Sequence, residues 1–228
     1  MKVKAVVLAI ATSLIFVAPV IADTKTPAPH APTTTTVKSG RVACKGTYAV
    51  GHQAKDLAIP KIKKPFKNKI FTFNTNCGQI VIAADGVKAP LTVLSMAYLA
   101  NNGFFDQTLC HRLTTKGIYV IQCGDPTASG RGGPKWQVPD ENLPVAGPNA
   151  YPAGTVAMAN SGPNTSGSQF FFLYADNSVL GSNYTIWGHV TKGLEILKAV
   201  AAQGSNNSNG DGDGGPNQTF AIERAVAR

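Results

Sequence analysis

Residues 110–125, CHRLTTKGIYVIQCGD, hold two short apolar-rich runs on either side of Lys116-Gly117, with Cys110 and Cys123 at the outer ends. Such runs around a glycine-bearing turn predict two antiparallel strands, near Cys110–Thr115 and Ile118–Cys123. Side chains alternate between faces along a strand, so the pairing register decides what meets. A tight two-residue turn sets Cys110 against Cys123, places Arg112 opposite Ile121 and sends Gln122 to the other face. A longer loop or a bulge sets Arg112 against Gln122 and parts the cysteines. One register suits a cross-strand disulfide; the other makes a polar pair.

Upstream, KIFTFNTNCGQIVIAA alternates around a turn at Asn76–Gly78 and predicts a β-hairpin. APLTVLSMAYLANNG places Leu91, Leu94, Met96, Tyr98 and Leu99 between Pro90 and Gly103, an amphipathic helix with start and stop signals. Downstream, TVAMAN, SQFFFLYA, YTIWGHV and TFAIERAVA read as strands. KGLEILKAVAAQG reads as a short helix with Leu194, Ile196, Leu197 and Val200 near one side. Many short strands and two isolated helices predict a mainly β fold, a closed antiparallel barrel with helices at its ends.

The N-terminus has a different composition. Lys2 and Lys4 precede an apolar run, and Val20-Ile21-Ala22 offers small residues for cleavage, so 1–22 reads as a signal peptide or N-terminal anchor. Residues 23–39 are a Pro/Thr-rich tether, 40–66 a basic N-terminal arm, and 67–228 the main domain. Export is expected, to a secreted, periplasmic or cell-surface location. Any membrane attachment would run through the N-terminal segment.

The net charge is +9, or +7 without Lys2 and Lys4. Much of it lies in KIKKPFKNK, which has no arginine and only Phe66 to stack on a base. That run reads as a solvated lead-in, and no nucleic-acid partner is expected. Four cysteines in an exported chain allow up to two disulfides, while the lack of C-x-x-C argues against a thioredoxin-like site.

Other chemistries fail on spacing. In DGDGG, 211–215, the position-twelve glutamate of a calcium loop would fall on Ile222, so the segment reads as a flexible surface turn. GRGGP, 130–134, lacks the third glycine of a dinucleotide fingerprint, and no G-x-S-x-G elbow surrounds Ser166 or Ser168. His30, His52, His111 and His189 are scattered, and adjacent Cys110 and His111 are poor joint ligands in a strand, so no metal is expected.

FFDQTLCHRLTTKGIYVIQCGDPTASGRGGPKW, then PAGTVAMANSGPNTSGSQFFFLYA and WGHV, together resemble the signature regions of the cyclophilin family of peptidyl-prolyl isomerases. The resemblance spans roughly residues 67–228. It implies a closed eight-stranded antiparallel barrel capped by two α-helices, acting without a cofactor on proline-containing polypeptides. A monomer is expected. By position Arg112 matches the family's catalytic arginine, and Gln122 the glutamine that binds substrate backbone and orients it. Tyr119, Val120, Phe171 and Leu180 match the proline pocket and Tyr184 a further wall. Asn160 and Gln169 match residues that pair with substrate backbone, and His111 a nearby histidine of lesser weight.

There are departures from the commonest pattern. Two extra residues stand between Arg112 and Gln122, Tyr119 replaces phenylalanine and Val120 methionine. Val179 stands for the tryptophan that helps many relatives bind cyclosporin, and Tyr184 for a histidine. Singly, Arg112 reads as a strand-edge surface residue and Phe171 as core; jointly and in order, the functional reading prevails. Only the register that sets Arg112 against Gln122 builds this site, so no Cys110–Cys123 disulfide is expected. Bonds from Cys44 or Cys77 to either, or free buried thiols, stay open. A non-catalytic proline-peptide-binding module and an envelope structural or adhesive protein are the competing readings. Retention of Arg112 and Gln122 argues against a pure binder.

Overall fold

The computed structural model describes residues 42–62 and 64–228. The proposed signal or anchor and the Pro/Thr tether lie outside the described residues. Strands β1 (Lys69–Thr75) and β2 (Gly78–Ala84) form the expected hairpin, with Thr75 paired to Gly78 across a two-residue turn. Period-two alternation buries Phe71, Phe73, Ile80 and Ile82 on one face.

Helix α1 (Pro90–Asn101) starts at proline, whose fixed φ and missing N–H suit a first turn. Its N-cap, Ala89, has no side-chain oxygen to offer. Glu141 takes over from a distant loop, accepting from Leu91 N at 3.0 Å and from Thr92 N and Oγ1 at 2.8 Å each. Thr92 is fully buried, so its donors have no water to turn to. Glu141→Ala is expected to cost about 2 kcal/mol of stability in urea melts, because it strands several donors at once. An unchanged melt would show that water replaces the cap.

The remaining strands are β3 (Thr108–Leu109), β4 (Arg112–Thr114), β5 (Val120–Cys123), β6 (Thr155–Met158), β7 (Phe170–Leu173), β8 (Ile186–Lys192), β9 (Asp213–Gly214) and β10 (Ala221–Ala227). They form one sheet in the order β3-β10-β1-β2-β8-β6-β7-β5-β4-β9, with every pair antiparallel. At one edge β3 pairs with β10; near the other, β4 pairs with β5. These two pieces are one stretch of chain, kinked at Cys110–His111, and that stretch closes the barrel. The sheet thus has ten strands where eight were expected, because the chain breaks into β3 and β4 at this kink and two-residue β9 adds an edge. Helix α1 packs on β10 and β1, and α2 (Leu194–Ala201) packs on β2.

The interior is aromatic. Phe170 sits 5.5 Å from Phe73, 5.9 Å from Phe105, 5.3 Å from Phe172 and 5.8 Å from Trp187, centroid to centroid. The Phe73 ring stacks on Phe170 and the other three meet it edge-on, and both arrangements add to the large apolar area each ring buries.

Two cysteine readings are corrected. Arg112 does pair with Gln122, yet Cys110 and Cys123 are nevertheless joined, Cα atoms 4.0 Å apart. Strict alternation from Arg112 would turn Cys110 away, but the ladder breaks at Cys110–His111 and the chain reorients. Cys110 N donates instead to Phe220 O of the neighbouring segment at 2.9 Å, and the sulfur points inward. The other disulfide joins Cys44 to Cys77, so no cysteine is free.

That second bond fastens the N-terminal arm to the β1–β2 turn. Lys45 N donates to Asn76 O at 2.8 Å, and Asn76 Nδ2 returns a bond to Lys45 O at 3.1 Å. Val42, Cys44, Ala54 and Leu57 pack against the barrel core. His52 N then donates to Pro126 O at 2.8 Å, and Lys135 pairs with Asp56 at 2.6 Å. Lys61, Lys64 and Lys67 remain exposed.

Candidate active site

Three neighbouring strands each give one face to the core and the other to a surface cup. On β7, Phe170 and Phe172 join the interior while Phe171 and Leu173 belong to a second apolar cluster outside it. On β5, Ile121 and Cys123 point in; Val120 joins the outer cluster and Gln122 lines the cup. On β4, Leu113 points in and Arg112 lines the cup.

The cup, about 160 Å³, is lined by Ile118, Val120, Phe171, Leu180 and Tyr184, with Arg112, Gln122, Ala159 and Asn160 at its polar side. The Tyr184 ring meets Phe171 edge-on at 5.4 Å. Buried Tyr151 holds the far wall: its hydroxyl accepts from Tyr184 N at 3.1 Å and lies 3.1 Å from Gly181 O. A second, polar depression shares Gln122, Ala159 and Asn160 and runs on between residues 130–134, Thr165 and Gln169.

The polar side is one chain of hydrogen bonds. Asp213 grips Arg112, with Nε to Oδ1 at 2.8 Å and Nη2 to Oδ2 at 2.6 Å. Arg112 Nη1 lies 3.4 Å from Gln122 Oε1. Gln122 Nε2 donates to Gln169 Oε1 at 2.8 Å, and Gln169 Nε2 donates to Gly132 O at 3.0 Å. Gly132 N donates to Asp125 Oδ2 at 3.1 Å, within a turn that also turns Thr127 and Arg131 N–H groups toward that carboxylate. Residue 132 must be glycine, because a Cβ there would lie 2.0 Å from Asp125 Oδ1.

Charges follow from these contacts. The hydrogen bonds that Arg112 donates to Asp213 raise its pKa above the ordinary value, outweighing burial, so the guanidinium stays protonated. The same bonds hold the Asp213 carboxyl below the usual carboxylate range. Burial works against the Asp125 charge, but bonds from Thr127 and Gly132 outweigh it and lower its pKa. Burial pushes His111 down, with Arg112 adding to the effect and Asp125 opposing it.

The structure gathers Arg112, Val120, Gln122, Asn160, Phe171, Leu180 and Tyr184 around one cup, with Gln169 beside it. Tyr119 falls elsewhere. Residues 118, 120 and 122 share parity, so Ile118 completes the wall while the Tyr119 ring packs on Tyr174 at 6.0 Å. His111 is not on the cup wall, and neither of its ring nitrogens has a hydrogen-bond partner among the described residues. Asn160 is tied down, its Nδ2 donating to Asn183 O at 2.9 Å.

Asp213 was not among the expected site residues, and the DGDGG turn is not a loose one. Thr115 N donates to Gly212 O at 2.7 Å and Gly212 N to Asn207 Oδ1 at 2.9 Å. A Cβ on Gly214 would lie 2.3 Å from Asn206 Oδ1. Among the described residues no cluster of His, Cys, Asp and Glu could hold a metal ion. The cup offers no nucleophile activated by a base. It offers an apolar recess beside fixed N–H donors, which suits a ring flanked by peptide backbone.

A sequence model of the family described as "Cyclophilin type peptidyl-prolyl cis-trans isomerase/CLD" matches residues 70–227. The chain belongs to the cyclophilin family. Among its relatives, "Probable peptidyl-prolyl cis-trans isomerase B" of Mycobacterium leprae is 41% identical over 187 residues, 74% of this chain and 62% of that one. The protein of the same name from Mycobacterium tuberculosis is 40% identical over 176 residues, 69% of this chain and 57% of the other. The aligned part thus spans about three-fifths of those relatives. A crystal structure of a Cryptosporidium parvum cyclophilin type peptidyl-prolyl cis-trans isomerase superposes with a TM-score of 0.61 at 28% identity, covering 71% of this chain and 98% of that one. Another, in the presence of the dipeptide Ala-Pro, gives 0.60 at 28% identity, covering 70% and 98%. The cyclophilin match takes in both helices and all of the cup, and the docked arm lies before it.

Proposed function

We propose that this cyclophilin is a peptidyl-prolyl cis-trans isomerase that accelerates rotation about X–Pro bonds in exported proteins and so assists their folding. The observation that carries the reading is a permanently charged guanidinium fixed at the edge of an apolar cup, with Nη1 on the cup side. Rotation about a peptide bond is slow because the amide must lose resonance, a barrier of about 18–20 kcal/mol. In the twisted amide the imide nitrogen becomes pyramidal and regains a lone pair. The ring sits in the cup, Gln122 and Asn160 hold the flanking backbone, and Arg112 donates to that nitrogen only when the amide is twisted. An interaction made in the transition state and absent from the ground state is what lowers a barrier.

Proline-containing polypeptides are the substrates, and the protein works as a monomer without a cofactor. Export is supported by the N-terminal apolar run in the sequence and by the pairing of all four cysteines, which suits an oxidising compartment. The apolar run serves as a cleaved signal.

Exchange spectroscopy on a short Ala-Pro peptide tests the activity. Catalysed exchange is expected, with a rate flat from about pH 7 to about pH 9. Across that window His111, shifted down, is already neutral, Asp213 is charged and Arg112 protonated, so no charge in the site changes. Peptide binding without acceleration would make the protein a binding module instead. Intact mass of the exported protein, beginning near Asp23, tests the cleavage; an uncleaved chain in the membrane fraction would make the run an anchor.

A further inference from the structure

The isomerase scheme asks one guanidinium nitrogen to meet a lone pair that exists only in the twisted amide. Its worth therefore depends on where Nη1 points. Gln122 alone does not fix this, since its Oε1 lies at 3.4 Å, a long contact. Val120 and Phe171 have no acceptor to offer its N–H groups. Among the described residues, the only close, two-pronged hold on Arg112 comes from a segment 101 residues away in sequence.

We propose that Asp213 is a positioning residue for the isomerase reaction: its carboxylate occupies Nε–H and Nη2–H of Arg112 and leaves Nη1 as the donor that faces substrate. The proposal rests on the isomerase reading given above. Asp213 does not itself line the cup, so it has no contact with substrate to lose. A bidentate carboxylate fixes the plane of a guanidinium as no single hydrogen bond does.

The loop that carries Asp213 is built to deliver it. β9 pairs with β4, Leu113 to Gly214 and Thr114 to Asp213, which sets the carboxylate beside Arg112 on the same edge. Asn206 and Asn207 close the loop from within: Asn206 Oδ1 accepts from Ser208 N at 3.1 Å and Gly215 N at 2.9 Å, and Asn207 Oδ1 from Gly212 N at 2.9 Å. Lys116 pairs with Asp211 across the same gap. Among the described residues, only Asn209 Nδ2, at 3.2 Å from Oδ1, shares the Asp213 carboxylate with Arg112. Loop shape is therefore secured by other groups, and removing the carboxylate leaves a folded protein with a loose arginine.

Two effects oppose each other. The carboxylate offsets part of the guanidinium charge, which weakens its pull on the imide nitrogen. It also spares the side chain a search among rotamers, most of which place Nη1 away from the cup. The Arg112 side chain is one-third exposed, so water already screens the charge. Orientation is the larger effect.

The test measures kcat and KM for X–Pro exchange in the wild type, Asp213→Ala, Asp213→Asn and Arg112→Ala, and in Asp213→Ala combined with Arg112→Ala. The Arg112 Nε–H signal is followed by 15N NMR. Asp213→Ala is expected to lower kcat about tenfold with KM changed less than about twofold. Asp213→Asn, which keeps one acceptor, should fall between. Adding Asp213→Ala to Arg112→Ala should change nothing further, and the protected Nε–H signal should vanish with the carboxylate. Equal or faster exchange in Asp213→Ala overturns the proposal, as does an equal loss in the Arg112→Ala background, which would mark a purely structural role. A wild type that accelerates nothing removes the isomerase reading, and the positioning role with it. An active wild type indifferent to Asp213 removes the positioning role alone.

Discussion

Arg112→Ala is expected to lower kcat/KM for X–Pro exchange by about a hundred- to a thousandfold. That is the cost of losing a fixed donor aimed at charge that develops only in the transition state. Peptide binding should change little, because the cup walls, Ile118, Val120, Phe171, Leu180 and Tyr184, are untouched. Arg112→Lys should recover little of the loss. An ammonium is a point charge that cannot fill both oxygens of Asp213 and still present a nitrogen toward Gln122. Removing the arginine also leaves the Asp213 carboxylate without its main partner, so thermal melts belong beside the kinetics. A folded Arg112→Ala protein that keeps more than about a tenth of wild-type kcat/KM would show that the cup alone, by excluding water from the amide, does most of the work.

The elements could be read in the sequence because they announce themselves locally. Alternation in KIFTFNTNCGQIVIAA gave the first hairpin, and Pro90 with Gly103 bounded the helix. Phe170, Phe171 and Phe172 show why parity was informative: the same three rings divide between interior and cup. Parity misled at one point. It holds along an unbroken strand, and the break at Cys110–His111 allowed the Arg112–Gln122 register and the Cys110–Cys123 bond to coexist. The resemblance misled at another, by placing both Tyr119 and Val120 on one wall, where alternation puts Ile118 and Val120 in the cup and turns Tyr119 to Tyr174. Asp213 was hidden for another reason. A Gly/Asn/Asp segment looks like a solvated turn in composition, and nothing local says that an arginine far back in the chain will pair with it. The same holds for the arm, whose order rests on contacts with residues 76, 102, 126 and 135.

The break at Cys110–His111 makes the nearby disulfide a substitute for missing ladder bonds, and removing it should have the largest effect on stability. Cys110 and Cys123 are both buried, and their bond closes a loop of 13 residues' separation that contains Arg112 and Gln122. Cross-linking a loop of that size restricts the unfolded chain by about 3 kcal/mol, a large part of the 5–15 kcal/mol that holds a domain together. Cys110→Ala with Cys123→Ala is expected to lose about 3 kcal/mol in urea melts. Because Cys123 adjoins Gln122 and Cys110 lies two residues before Arg112, exchange activity should also fall at temperatures where the variant is still folded. The Cys44–Cys77 bond spans 33 residues, and loop length alone would rank it higher. What it holds, however, is an arm packed on the barrel through Val42, Ala54 and Leu57. Cys44→Ala with Cys77→Ala should therefore release the arm, seen as faster amide exchange near residues 42–57, while X–Pro exchange stays within about twofold. Four alkylatable thiols in the unreduced wild type would end the account of both bonds. A Cys110/Cys123 variant as stable as the wild type would show that packing around Phe170 and Trp187, not the cross-link, carries the kink.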